Sequence, residues 1–311
     1  MNNLKKIGLS ALAGSLVAMS VNAAEMSVTG GASLTVSDQG QDVEGNTWTM
    51  GNSITFSASG ETDSGISISA SYELDDDIMD DYSMSMGTAD LGTLTFSGSG
   101  GSSALSAVDD VTPNAYEEAW HGALGTGTVI NGTTGVNSFK YDSPSFAGVT
   151  LSIGHVPSSD AVTDKSYTDY AIAFSPEMAE GLTVGWAAGE VEEVTGTSSD
   201  ESTMYVKYTY GPVTFGYQQS EADGNSSTTD YDSEALGITY AVNESLTIGY
   251  GTHKWETTNN TSLSDQESSA ITASFTAGGV TIAGIMNDVD NVSGVATTDR
   301  EAYELNLSFA F

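Results

Sequence analysis

The most concentrated chemistry in this sequence lies in one short stretch that holds four carboxylates. Its charged and aromatic side chains are Asp109, Asp110, Tyr116, Glu117, Glu118, Trp120 and His121. Carboxylates held close together attract cations by direct electrostatics. The stretch therefore predicts a cation-attracting site, with an ordinary solvated surface loop as the alternative.

Motifs for catalysis have little support in this chain. The three histidines, His121, His155 and His253, are far apart, and none of them shows metal-ligand or metalloprotease spacing. Ser and Asp are so common that a catalytic triad could be drawn anywhere. The glycine-rich residues 98–101 are not followed by a phosphate-loop lysine. We therefore predict no enzyme activity, no resident cofactor and no metal-ligand motif.

A second acidic stretch precedes the first, at Asp75, Asp76 and Asp77, and continues with Asp80 and Asp81. Hard divalent cations prefer carboxylate oxygens, so Asp75, Asp76 and Asp77 are a candidate divalent-cation site. A solvated loop tip is the alternative, because the spacing of an EF-hand loop and its glycine are both missing.

The charge balance is strongly acidic, with 42 acidic residues, 7 basic residues and no cysteine. Two lysines belong to the leader described next, which leaves five basic residues and a net charge of −37. Nucleic acid is excluded as a partner, since phosphates are neutralised by Lys and Arg. A solvated surface or an aqueous lumen fits this balance.

The first residues have the three parts of a secretory signal peptide. Lys5 and Lys6 precede an uncharged apolar run at residues 7–19 and the small-residue sequence VNA at residues 21–23. We predict that residues 1–23 are a cleaved signal peptide, with cleavage after Ala24 as the alternative. Residues 24–311 then form one exported domain.

Apolar and polar residues alternate along most of the chain, most clearly in the sequence YELNLSFAF at residues 303–311. The apolar residues there occupy every second position, which we call the apolar parity of the strand: Tyr303, Leu305, Leu307, Phe309 and Phe311. Successive side chains of a strand point to opposite faces, so such a segment has one apolar and one polar face. We predict an all-β fold, a transmembrane antiparallel β-barrel of about 16 such strands.

The connections between these segments alternate in length. Short connections are predicted at residues 60–65, 89–92, 143–148, 175–181, 211–212, 242–245 and 277–279. Long polar connections are predicted at residues 38–46, 157–169, 190–202, 221–232, 256–267 and 288–299. Short turns at one end and long loops at the other are typical of outer-membrane barrels. A secreted acidic β-rich adhesin or structural protein is the alternative from another class.

Three stretches carry a resemblance to a known family: LGTLTFSG at residues 91–98, NSFKYDSPSFAGV at residues 137–149, and residues 303–311. They resemble the strand that enters an inward-folded third loop, the strand–turn–strand after it, and the terminal strand read by the barrel assembly machinery. The family is that of the general diffusion porins of Gram-negative outer membranes. The sequence departs from this family in two ways. It lacks the Pro-Glu-Phe-Gly-Gly found in some third loops, and it has few basic residues.

The resemblance implies a homotrimer of sixteen-stranded barrels in the cell outer membrane, each with a water-filled pore. It also implies that residues 98–135 fold into the lumen as the third loop. The pore-constriction residues are then Asp109, Asp110, Tyr116, Glu117 and Glu118, and the C-terminal assembly signal is the apolar parity of residues 303–311. The implied partners are outer-membrane lipid, lipopolysaccharide, the barrel assembly machinery, and small hydrophilic solutes and ions.

Three basic residues, Lys140, Lys207 and Arg300, have the polar parity of their strands. We predict that they form the opposing lumen wall, with local charge balance as the alternative role for each. Lys254 has the outward parity, and it is predicted to sit at the outer rim.

These observations together predict an outer-membrane porin whose water-filled, cation-preferring channel passes ions and small hydrophilic solutes by passive diffusion. A channel that prefers a cationic or polyol nutrient is the alternative within the class.

Overall fold

The computed structural model describes residues 25–38, 40, 46–75, 78–122, 126–127, 129–130, 132, 134–135, 137–157, 166–192, 198–224 and 230–311. The predicted signal peptide lies outside these residues, as do Asp76 and Asp77 of the candidate divalent-cation site. Within the described part of the chain, no helix is long and apolar enough to cross a membrane.

Sixteen strands close into one antiparallel barrel, and two further strands of two residues each, β6 and β7, pair only with each other. The strands that precede β8 are β1 (Glu25–Asp38), β2 (Thr47–Glu61), β3 (Ser67–Asp75), β4 (Ile78–Thr88), β5 (Gly92–Ser99), β6 (Gly101–Ser102) and β7 (Thr134–Gly135). The remaining strands are β8 (Ser138–Asp142), β9 (Val149–Val156), β10 (Tyr167–Phe174), β11 (Leu182–Glu192), β12 (Ser198–Tyr210), β13 (Val213–Gly224), β14 (Tyr231–Ala241), β15 (Leu246–Thr257), β16 (Gln266–Ala277), β17 (Val280–Asp290) and β18 (Arg300–Ala310).

The barrel closes where β1 pairs with β18. Leu34 lies opposite Leu307 and Ala32 lies opposite Phe309 across this seam. Every other barrel strand pairs with its neighbour in the chain, and β5 pairs with β8 across the longest connection. Among the described residues, closure leaves no unpaired strand edge in the barrel wall, which is the condition for placing strands in lipid. The predicted all-β barrel of sixteen strands is confirmed.

The alternation of the sequence separates the two faces of the wall. Large apolar side chains point outward and stay exposed, and several aromatic ones lie near the short-turn end: Tyr208, Tyr210, Tyr240, Phe275 and Phe309. The opposite parity points inward and is rich in Ser, Thr and other polar residues. An apolar outer band with aromatic residues at its border is the surface that a barrel presents to lipid.

The strands run farther toward the long connections than the apolar pattern predicts. Only residues 193–197 separate β11 from β12, whereas the sequence predicts a loop over residues 190–202. Glu190 pairs with Asp200 in this extension, so the ladder continues through polar residues beyond the apolar band. Likewise, only residues 76–77 separate β3 from β4, so Asp80 and Asp81 lie on β4 and not in a loop.

The connection between β5 and β8, residues 100–137, contributes three of the six buried residues in the largest apolar cluster of the described residues. This β5–β8 connection contains β6, a 3-10 turn at Ser106–Val108, and β7. Its Leu105 and Ile130 are fully buried and pack with Ala187 of the barrel wall. The two larger apolar clusters therefore lie between this connection and the inner face of the barrel.

Candidate functional site

The β5–β8 connection lies against the inner face of the barrel. Hydrogen bonds join it to side chains on β10, β12, β13, β16, β17 and β18. Those side chains have the inward parity of their strands, opposite to the exposed apolar residues. A segment bonded in this way to strands around half of the wall lies inside the barrel.

Asp169 on β10 anchors the start of the connection. Its carboxylate is fully buried and accepts hydrogen bonds from the backbone N–H groups of Ala104, at 3.0 Å, and Leu105, at 2.8 Å. The Tyr167 hydroxyl donates a third hydrogen bond at 3.1 Å. A buried carboxylate requires such donors, because an unpaired buried charge is costly. The 3-10 turn at Ser106–Val108 follows directly from this anchor.

Gln218 on β13 anchors the next part of the connection with both ends of its amide. Its nitrogen donates to the carbonyl oxygens of Val108, at 2.8 Å, and Asp109, at 3.1 Å. Its oxygen accepts from the backbone N–H of Val111 at 2.9 Å. The side chain is almost fully buried, so these bonds replace the water that the loop backbone has lost.

Further anchors on the closing strands hold the second half of the connection. Thr272 accepts from the backbone of Ala115, Gln266 exchanges two hydrogen bonds with the backbone of Thr126, and Asn287 donates to the carbonyl of His121 at 2.9 Å. We call Asp169, Gln218, Gln266, Thr272 and Asn287 the anchor residues. They fix the path of the connection across the lumen.

Glycines on the inner wall let the connection approach closely at Pro113. A Cβ at Gly237 would lie 2.6 Å from the Pro113 carbonyl oxygen, and one at Gly216 would overlap the Pro113 ring. Real Cβ atoms are not found at such separations, so the proline fits only because both wall positions lack a side chain.

The four predicted carboxylates all lie on this connection and are partly exposed. Asp110 accepts hydrogen bonds from the Thr112 N–H, at 3.0 Å, and hydroxyl, at 2.8 Å. Burial raises the pKa of Asp109 above its ordinary value. Burial, then the hydrogen bond and charge of Asp110, raises the pKa of Glu118 to about 7. At neutral pH Glu118 is therefore only partly ionised, which lowers the charge of the group.

His121 places an unexpected positive charge beside these carboxylates. Its Nδ1 lies 3.2 Å from Glu117 Oε2, and its Nε2 lies 3.2 Å from Glu304 Oε2 on β18. The Glu117 carboxylate, helped by that of Glu304, raises the pKa of His121 to about 9, although burial opposes the shift. The Tyr116 hydroxyl donates to Glu304 Oε1 at 2.5 Å. This arrangement ties the connection to the closing strand of the barrel.

The match to a family model covers residues 8–262 and has the description "Gram-negative porin". The chain belongs to the Gram-negative porin family. It is therefore a diffusion channel of the bacterial outer membrane, as predicted, and the secreted adhesin alternative is wrong.

Solved porin structures share the fold of this porin at low sequence identity. An anion-selective porin from Comamonas acidovorans is 14% identical, with a TM-score of 0.70 over 93% of this chain and 100% of that one. OmpT of Vibrio cholerae is 12% identical, with a TM-score of 0.68 over 94% and 99% of the two chains. Salmonella typhi OmpF, in complex with daunomycin, is 12% identical, with a TM-score of 0.68 over 93% and 98%. The search of curated proteins found no match at the significance threshold.

The three basic residues predicted for the opposing lumen wall of this porin lie on three different strands, β8, β12 and β18. Lys140 on β8 forms an ion pair with Asp142 at 3.5 Å, close to a short turn. Lys207 on β12 also lies near a short turn, whereas Arg300 begins β18 at the end with long connections. Lys254 on β15 has the expected outward parity and pairs with Glu256 at 2.6 Å and Asp265 at 3.0 Å.

The wall across the lumen from β13 and β14, which consists of β3, β4 and their neighbours, is hydroxyl-rich. Glu73 and Asp75 add carboxylates to its inner parity. No lysine or arginine occurs between Lys6 and Lys140, so this wall has no basic residue. The inward hydroxyl side chains of β1 to β4 include Ser27, Thr29, Ser33, Thr35, Thr49, Ser53, Thr55, Ser69, Ser71, Ser83 and Ser85.

Sequence reasoning finds the loop carboxylates and Tyr116 but misses Glu304, the anchor residues and the role of His121. The sequence places His121 in the same stretch as the carboxylates, but it does not show that the imidazole lies between Glu117 and Glu304. The other predicted residues of β18, Tyr303, Leu305, Leu307 and Phe309, point outward with Phe311 and are exposed. Their recognition during assembly remains a prediction.

Proposed function

We propose that this porin forms a cation-preferring, water-filled channel whose lumen is narrowed by the β5–β8 connection. The observation that carries the proposal is the charge on the two facing sides of the lumen. The connection contributes Asp109, Asp110 and Glu117, and the wall across from it contributes Glu73 and Asp75 without any basic residue.

Carboxylates on both sides of a narrow aqueous path favour cations, because low-dielectric walls focus their field into the water between them. His121 and the partly ionised Glu118 reduce this field but do not reverse it. The Comamonas porin is described as anion-selective, but at 14% identity the likeness shows the fold alone.

The test is the reversal potential of the purified porin in a planar bilayer across a potassium chloride gradient. We expect cation selectivity at low salt that shrinks at about 1 M salt, where the Debye length is roughly 3 Å. A zero or anion-selective potential at low salt overturns the proposal.

A matched pair of variants tests the position of the charges. Asp109→Asn with Asp110→Asn removes two carboxylates from the lumen, whereas Asp288→Asn with Asp290→Asn removes two from the outer face of β17. We expect only the first pair to lower the selectivity clearly. Equal effects would show that the selectivity reflects overall charge and not the β5–β8 connection.

We also propose that the porin is a homotrimer that contacts lipopolysaccharide and passes small hydrophilic solutes. A Vibrio cholerae OmpT structure is described as a trimer form, which supports the first part. The unheated protein should migrate on a gel as a trimer and convert to a monomer on boiling. Monomeric migration of gently extracted protein contradicts this part.

A further inference from the structure

We infer that the turn at residues 117–121 is a saturable binding site for a first-row divalent transition-metal ion such as Zn²⁺, with Glu117, Glu118 and His121 as its ligands. This goes beyond the proposed cation preference, which needs only a diffuse field. The site is assigned from the geometry of the three ligand side chains and from Glu304, which lies next to the other nitrogen of the His121 imidazole.

The three side chains already converge. One ligand atom from each of Glu117, Glu118 and His121 lies within 4.8 Å of the others. The backbone N–H of His121 donates to the Glu118 carbonyl at 3.0 Å, and this closed turn holds the three side chains on one side. Zinc bonds to nitrogen and oxygen are about 2.0–2.2 Å long, which places tetrahedral ligand atoms roughly 3.4 Å apart. The three side chains must therefore rotate so that their ligand atoms close by up to about 1.4 Å around an ion.

Glu304 provides independent support for a metal at His121, because its carboxylate faces the second nitrogen of the imidazole. In metal sites, the histidine nitrogen that does not bind the metal usually donates its N–H to a carboxylate, a backbone carbonyl or water, which fixes the tautomer and the ring orientation. Here Nδ1 faces Glu117, and the buried Nε2 lies 3.2 Å from Glu304 Oε2 without an aligned hydrogen bond among the described residues. A metal at Nδ1 leaves the proton on Nε2, directed at Glu304. Tyr116 holds Glu304 in place from β18.

The donor set selects the class of ion. One imidazole and two carboxylates suit zinc and its neighbours in the first transition row, whereas calcium prefers six to eight oxygen ligands and magnesium keeps most of its water. Two carboxylates neutralise the charge of a divalent ion. All three ligands are partly exposed, so water completes the coordination and the ion exchanges with the lumen.

The direct test is calorimetric titration of Zn²⁺ into the purified, detergent-solubilised porin, with folding of every variant checked by its heat-modifiable migration. We expect one saturable site per chain. His121→Ala should abolish saturable binding, and Glu304→Gln should weaken it by about tenfold to a hundredfold, as for other residues behind a ligand.

Two control variants separate this site from general metal adsorption. His155→Ala removes an exposed imidazole elsewhere, and Glu73→Gln with Asp75→Asn removes two carboxylates from another strand, β3. Both should keep the affinity of the parent protein within about threefold, against the tenfold or larger losses expected at the site. Absence of saturable binding overturns the inference. So does Ca²⁺ competing as well as Zn²⁺, or an equal loss in either control.

A conductance measurement tests the metal site and the proposed function separately. An effect of Zn²⁺ on conductance rests on the proposed function, because it requires the β5–β8 connection to narrow the lumen. Zn²⁺ should lower the single-channel conductance of the parent protein at low salt and leave that of His121→Ala unchanged. Saturable Zn²⁺ binding with no change in conductance would uphold the metal site, and would overturn the proposal that this connection narrows the lumen.

Discussion

The Tyr116 hydroxyl donates a 2.5 Å hydrogen bond to Glu304, and this bond joins the middle of the β5–β8 connection to the strand that closes the barrel. Glu304 lies at inward parity between Tyr303 and Leu305, which face outward. One strand therefore presents an apolar surface to lipid and a carboxylate to the connection inside the lumen.

Replacing Tyr116 with Phe should loosen the middle of the connection. Hydrogen bonds to charged groups contribute about 1.5–3 kcal/mol, and the partial exposure of Tyr116 places the loss at the lower end of this range. We expect faster hydrogen–deuterium exchange in peptides covering residues 112–122. Residues 103–108 should exchange as before, because Asp169 and Gln218 still hold them. Tyr141→Phe is the control, since its hydroxyl donates to Leu91 outside the connection. An equal response in both variants would contradict the role of Tyr116.

Gln218→Leu should loosen the first half of the connection instead. The leucine fills the space but leaves the backbone groups of Val108, Asp109 and Val111 without their partner, at a cost of about 1–3 kcal/mol for each that stays buried. Exchange should rise at residues 104–112, and single-channel current noise should increase. Gln219→Leu alters the neighbouring, outward position and should do neither. Unchanged exchange in Gln218→Leu would show that other anchors hold this part.

The barrel can be predicted from sequence because the pattern that forms each strand is local in the chain. Alternation with period two places Leu305 and Leu307 outward and Asn306 inward without knowledge of any other strand. Turn lengths then give the order of the strands. Loop bounds are predicted less well, since the β11 and β12 ladder continues through residues such as Glu190 and Asp200, which carry no apolar signal.

The lumen cannot be predicted in the same way because its contacts join distant parts of the chain. Asp169 meets Leu105, Gln218 meets Val111, and Gln266 meets Thr126, at separations of 64, 107 and 140 residues. Each anchor looks in sequence like any other polar residue of inward parity. The four carboxylates can be found because they cluster in the sequence, but their connection to Glu304 appears only in three dimensions.

Gly237→Val should push the connection away from the wall. Its side chain would collide with Pro113, whose carbonyl oxygen lies 2.6 Å from the position of a Cβ at Gly237. We expect the connection to move toward the lumen axis and the single-channel conductance to fall. Gly31→Val adds the same side chain to the inner face of β1, where the nearest atom would be 3.4 Å away, and it should lower the conductance much less. Equal reductions would mean that added volume alone, and not displacement of the connection, narrows the pore.

The contact between Gly30 and Phe311 at the barrel seam gives a prediction about stability. The two residues exchange backbone hydrogen bonds of 2.9 Å in both directions. The Phe311 ring covers Gly30 so closely that a Cβ there would lie 2.8 Å from Cζ. Gly30→Ala should therefore lower the temperature at which the folded barrel converts to its unfolded form on a gel, because the ring must move away.

A double-mutant cycle separates the ring from the rest of the seam. Phe311→Ala keeps both backbone hydrogen bonds and removes the ring, so Gly30→Ala should cost less stability in that background. Residues in contact show interaction energies of about 0.5–3 kcal/mol in such cycles. Removing the ring should recover only part of the stability lost in Gly30→Ala, since the Ser53 carbonyl oxygen would also lie 2.7 Å from the new Cβ. Strictly additive losses would show that the collision with Ser53 accounts for the whole effect and that the aromatic ring does not secure the seam.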